Sequence, residues 1–205
     1  MGVGRGVIEV AWGVMLGLAA TACDLETDAR EPDAFDEPRK GGGGGGGGGT
    51  WIGNGLVDPD VSDVDPAHGL ATWAGLHPDA DGLPLARYLV ECALPLGESI
   101  SKTVGGETLV FEGLLGLAPE WADGACDEDC QEWISACLLA RTNVSGQSVT
   151  LWIQADHPAI GYGTPDDVVH EASWYGNLFA GPEEQYLCKG QPGAAAKAKH
   201  EGRTC

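Results

Sequence analysis

Nine consecutive glycines, Gly41 to Gly49, divide this chain. Polyglycine has no side chain to bury and samples both signs of φ, so ordering it costs more backbone entropy than any other sequence. No helix or core strand is expected to run through it. A phosphate-cradling glycine loop would need a strand before it, a helix after it, and a Lys or Ser/Thr at fixed offset; none of these is present. Residues 24–40 are rich in Asp, Glu and Pro and nearly free of large apolar side chains, a composition that cannot offset the entropy of folding. Residues 23–49 therefore read as a disordered acidic and polyglycine tether, with a random-coil end separation of about 30 Å. The stretch beyond, residues 50–205, has the usual size of one domain.

Ahead of the tether, Arg5 supplies a short positive start, and residues 10–22 supply an apolar run of leader length that is too short for a membrane span. The run ends in Leu18-Ala19-Ala20-Thr21-Ala22-Cys23. This segment resembles the lipobox of bacterial lipoprotein signal peptides, departing from it at Ala20, where leucine is usual, and at Glu9, which interrupts the apolar start. The resemblance implies a leader over residues 1–22, lipidation of Cys23, and a membrane partner reached through the lipid anchor. The location it implies is the bacterial cell envelope, periplasm or cell surface. One acyl chain anchors marginally and two or more hold stably. The competing reading is an ordinary secretory signal cut near Ala22, with Cys23 left as a thiol.

Setting Cys23 aside, six of the seven cysteines remain: Cys92, Cys126, Cys130, Cys137, Cys188 and Cys205. In an exported domain an even number reads as three disulfides, with fifteen pairings open. Residues 84–94 are expected to form a helix with Leu85, Leu89 and Cys92 on one face. Residues 127–141 are expected to form a second, with Cys130, Trp133, Ile134, Cys137 and Leu138 as its apolar stripe. Asp127, Glu128 and Asp129 suit its positive end and Arg141 its negative end. The favoured pairing joins Cys92 to Cys137, Cys126 to Cys130, and Cys188 to Cys205. A zinc site from Cys126, Cys130, Cys137 and a histidine is the rival, but it lacks paired C-x2-C ligands. No metal and no cofactor is expected.

Period-two patterning marks strands at residues 108–111 and 148–154, with weaker candidates at 172–178 and 185–188. In the second, Val149, Leu151 and Ile153 share a face. Asn143 to Gln147 is expected to be the turn that enters it, more than a glycosylation site. Residues 50–84 are rich in Gly, Pro and Asp and are expected to be loops, with the stapled core at 85–205. The fold class is α+β: a small disulfide-stapled domain with two main helices and a few antiparallel strands. Segments 89–95, 113–121, 133–143, 156–159 and 175–179 together resemble a group of exported bacterial proteins of unknown activity. That resemblance implies no substrate.

Composition narrows the partners. With 31 acidic against 11 basic residues and a net charge of −20, nucleic acid and anionic lipid headgroups are disfavoured. His170-Glu171 lacks the second histidine of a helical zinc pair, because Trp174 stands three residues after Glu171. An EF-hand loop opening at Asp79 would place Pro84 where glycine is required. Asp58, Asp60, Asp63 and Asp65 suit either calcium or a solvated loop. Glu112, Glu120, Asp123 and Asp156 lie near aromatic residues, with Trp121 and Trp152 as candidate sugar-stacking rings and Trp133 and Trp174 as core. The loop carrying His157-Pro158 and Tyr162 to Pro165 is the first place to seek a site. No catalytic residue is assigned. The expected function is noncatalytic binding or an envelope-structural role with a protein or glycan ligand; the alternative is a carbohydrate-binding module or hydrolase.

Overall fold

A computed structural model describes residues 7–13, 48–79, 81–143, 145–166 and 168–190. Among these residues the architecture is α+β, with two α-helices, one five-stranded sheet and one hairpin. In chain order the elements are β1 (Val7–Gly13), β2 (Thr50–Gly53), α1 (Leu83–Ala93), β3 (Ser99–Val104), β4 (Glu107–Glu112), α2 (Glu128–Ala140), β5 (Thr150–Gln154), β6 (Val168–Asn177) and β7 (Glu184–Lys189). The large sheet has the order β2-β5-β1-β6-β7 and every pairing in it is antiparallel. No helix among the described residues is long and apolar enough to cross a membrane.

Helix α2 forms where its pattern predicts. The Asp127 side chain caps it by accepting from the Cys130 backbone N–H at 3.1 Å, and Glu128 and Asp129 follow in the first turn. Its face from Trp133 to Ala140 is buried against β1 and β6 on one side and α1 on the other. Cys92 of α1 and Cys137 of α2 are bridged across that helix contact, with Cα atoms 6.1 Å apart. Cys126 and Cys130 are bridged at the start of α2, with Cα atoms 5.2 Å apart. Cys188 is disulfide-bonded as well, to a partner outside the described residues; Cys23 and Cys205 both lie outside them. With Cys126, Cys130 and Cys137 in disulfides, the rival zinc set loses its thiolates.

Hairpin β3–β4 covers α1 with Ile100 and Phe111, which face each other across the pair. Its turn is Gly105-Gly106, both at positive φ (59° and 91°), as the two-residue hairpin turns that match strand twist require. Buried Lys102 ties the hairpin to the preceding loops by donating to the Thr72 carbonyl.

Two strands stand where none is expected. Thr50–Gly53, at the start of the stretch read as loops, pairs with β5 through Trp51↔Trp152 and Ile52↔Leu151. Val7–Gly13, within the stretch read as a leader, is the middle strand of the sheet. Ile8 and Val10 point into the core and are 0% and 1% exposed. An uncleaved chain has this strand; a chain cut ahead of Cys23 has lost it. The end of the glycine run is built into the fold too. Gly48 and Gly49 donate to the Tyr162 and Ile160 carbonyls at 2.8 and 2.6 Å. A Cβ on Gly49 would meet the Trp152 ring at 2.4 Å, so only glycine passes there. Residues 23–47 lie outside the described residues.

Candidate functional site

The sheet turns one face to α2 and the other away from it. Because side chains alternate along a strand, buried Ile52, Leu151, Ile153, Trp174 and Leu187 leave Trp51, Trp152, Tyr175 and Tyr186 on the outer face. The rings sit in two cross-strand pairs. Trp51 and Trp152 meet edge to face at 5.3 Å, and Tyr175 and Tyr186 stack at 5.0 Å. Between them runs a polar row, Gln154↔Glu9↔Ser173. Gln154 is the hub of that row. Its Nε2 donates to Glu9 Oε2 at 2.9 Å, and its Oε1 accepts from Gly163 N at 3.2 Å and Thr164 Oγ1 at 2.7 Å. Trp152 Nε1 is buried under this arrangement with no hydrogen-bond partner among the described residues. At the rim, Tyr162 stands exposed, its phenol pushed up first by partial desolvation and then by the nearby Glu9 and Asp156 charges.

The loop after β5 is a rigid turn. His157 packs edge to face on Trp133 of α2 at 4.7 Å. Its Nδ1 accepts from the Ala159 backbone N–H at 3.1 Å, and it bonds to the Leu117 backbone. Burial lowers its pKa, against an upward pull from Asp129, Glu120 and the Leu117 bond. A neutral ring accepting at Nδ1 and donating at Nε2 satisfies both nitrogens, so His157 fastens the loop. The unfolded chain, with histidine near 6.5, binds more protons than the folded one between the lowered value and about 6.5. Stability therefore rises with pH through that window and the cost of charging is complete below it. Chemical denaturation from pH 4 to 7 should show this slope, and His157→Gln should flatten it; an unchanged slope would assign the acid sensitivity elsewhere.

The other residues singled out by the sequence disperse. Trp121 is fully buried, its Nε1 donating to the His68 carbonyl at 3.1 Å and its ring edge-on to Phe179, so it is core and no sugar platform. Trp133 and Trp174 are core, as expected. Among the described side chains Trp73 is the exposed tryptophan, 51% accessible, its ring tilted at 45° against His77 with centroids 3.9 Å apart. Glu112 ends β4, Glu120 lies in a 3-10 turn that Asp123 closes, and Asp156 follows β5, so the four acids are spread over three segments. Asp58, Asp60 and Asp65 accept from the backbone N–H groups of Asp60, Ser62 and Ala67. These are turn-forming bonds. Among the described residues no three His, Cys, Asp or Glu side chains converge as a metal would need. His170 and Glu171 lie on strand β6 where its register against β1 shifts by one residue, and His170 Nε2 contacts Ser173 Oγ at 3.1 Å. Asn143 serves its turn, its Nδ2 donating to the Gln147 carbonyl at 2.8 Å.

Sequence reasoning missed Glu9, Trp51 and Tyr186 as members of one face. Their signal was available in part: Ile8-Glu9-Val10 alternates at the strand period. Comparison with protein-family models, with curated proteins and with solved structures returns no match.

Proposed function

We propose that this chain is an exported lipoprotein, held on a membrane of the bacterial envelope by acyl chains on Cys23, whose stapled α+β domain is a noncatalytic binding module. The observation that carries the reading is the cross-linked state of the cysteines downstream: Cys92–Cys137, Cys126–Cys130, and a disulfide-bonded Cys188. Such bonds persist in oxidising compartments, which fits the lipobox-like end at Cys23. The outer face of the sheet is the binding surface in this reading. Half-exposed rings beside Gln154, Ser173 and His170, all of which remain when Glu9 is cut away with β1, suit a glycan, because sugar faces stack on aromatic rings and hydroxyls bond to polar side chains.

Mass spectrometry of the protein purified from membranes of cells expressing the full gene is the test. The expected result is an acylated Cys23 at the N-terminus and a Cys188–Cys205 link in nonreduced peptides. A Cys23–Cys188 link overturns the reading, since one sulfur cannot carry both a thioether and a disulfide. The same material on a glycan array separates a glycan ligand, detected there, from a protein one.

A further inference from the structure

We propose that the chain processed ahead of Cys23 is an acceptor for a β-strand donated by a partner protein, taken up in the gap between β5 and β6. The inference rests on the lipoprotein reading, because it is the cut that removes β1. In the uncut chain β1 is hydrogen-bonded on both sides: to β5 through Glu9↔Gln154, Val10↔Ile153 and Ala11↔Trp152, and to β6 along its whole length from Val7↔Tyr175 to Gly13↔Val168. Removing it leaves two inner strands with unpaired backbone groups facing a space one strand wide, about 9–10 Å between their axes. It also uncovers Ile153, Ala172 and Trp174, all buried beside Ile8 and Val10. Backbone groups left without partners inside a sheet are costly, so the processed domain has a strong demand for a strand.

The gap is held open by contacts that do not involve β1. Helix α2 fixes the end of β6, with Asn177 Nδ2 donating to Gln131 Oε1 at 3.2 Å and the Leu178 N–H to Ser135 Oγ at 2.8 Å. The far end of the same helix fixes the β2–β5 pair. There Arg141 Nε donates to the Gly53 carbonyl at 2.9 Å, and Asn54 Oδ1 accepts from Val149 N at 3.0 Å. One rigid helix thus spaces the two edges. The seated strand defines the donor: antiparallel to both β5 and β6, aliphatic at the positions of Ile8 and Val10, polar between them where Glu9 meets Gln154. A second processed copy has lost the same segment and cannot supply it, so the donor is another protein with an exposed strand of that alternation.

The probe is a labelled peptide with the sequence Val7-Ile8-Glu9-Val10-Ala11-Trp12-Gly13, added to full-gene protein purified from membranes after its N-terminus is identified by intact mass. Expected is saturable binding accompanied by a raised melting temperature, or by gain of sheet signal if the processed domain is loosened beforehand. A peptide carrying Ile8→Asp and Val10→Asp should bind at least about 100-fold more weakly, because two fully buried aliphatic contacts are lost. An N-terminus at Cys23 with no peptide binding, or equal binding of both peptides, overturns the strand-acceptor proposal alone. An N-terminus that still carries residues 7–13 overturns this proposal and the lipoprotein reading together.

Discussion

Replacing Cys92 and Cys137 together by alanine is expected to lower the unfolding free energy by about 4 kcal/mol, the loop-closure cost for a span of this length. The bond joins residues 45 apart in sequence and ties α1 to α2 at a contact where both cysteines are fully buried. Domains of this size unfold with about 5–15 kcal/mol, so the loss is a large part of the total and should lower the midpoint by on the order of 10 °C. Removing Cys126 and Cys130, only four apart, should cost about 2 kcal/mol on the same basis. Urea denaturation of the two double variants, each with the other bridge intact, checks the order. A larger loss at the short bridge would mean that packing at the start of α2, and not chain closure, dominates.

Arg141→Met is expected to be nearly as damaging, at about 3–5 kcal/mol, the cost of breaking a buried ion pair by removing one partner. Arg141 is 2% exposed. Its guanidinium pairs with Glu91 of α1, donates through Nε to the Gly53 carbonyl at the end of β2, and lies 4.1 Å from the Tyr88 ring centroid. Three segments meet on one side chain. Met keeps the stem's volume but leaves the Glu91 carboxylate and the Gly53 carbonyl without their donor. Arg141→Lys should recover little, because an ammonium cannot donate along both directions while stacking on a ring. Glu91→Gln should be milder, since that side chain keeps partial access to water. The Tyr88 phenol supplies a second readout. Burial raises its pKa and Arg141 opposes the rise, so an ultraviolet titration should find Tyr88 higher still in Arg141→Met. No further rise would show that the guanidinium and the ring are uncoupled in solution.

The helices and the staples were legible because their signals are local. Asp127 precedes an acidic first turn and an apolar stripe, and that suffices to start α2 and aim Cys130 and Cys137. Leu85, Leu89 and Cys92 mark the matching side of α1, and a cysteine on each facing stripe implies the bridge. Alternation was enough for β5, where Leu151 and Ile153 do face the core. Hairpin β3–β4 was only half seen, although Gly105-Gly106 between alternating residues is a turn signal. Arg141 was read as a partner of the helix dipole; its pairing with Glu91, fifty residues away, has no local trace.

The chain's own pattern, then, determined two amphipathic helices, their cysteine pairings and the α+β class, each a matter of neighbours within a turn or two. The tertiary structure decided the membership of the large sheet. Thr50–Gly53 is four residues long and becomes a strand only by pairing with β5. Val7–Gly13 has an apolar run's composition, yet becomes a sheet centre because β5 and β6 each pair with one of its edges. Strand pairing is a non-local hydrogen-bonding choice, and short apolar segments carry the same composition whether they meet a membrane, a peptidase or a waiting pair of edges.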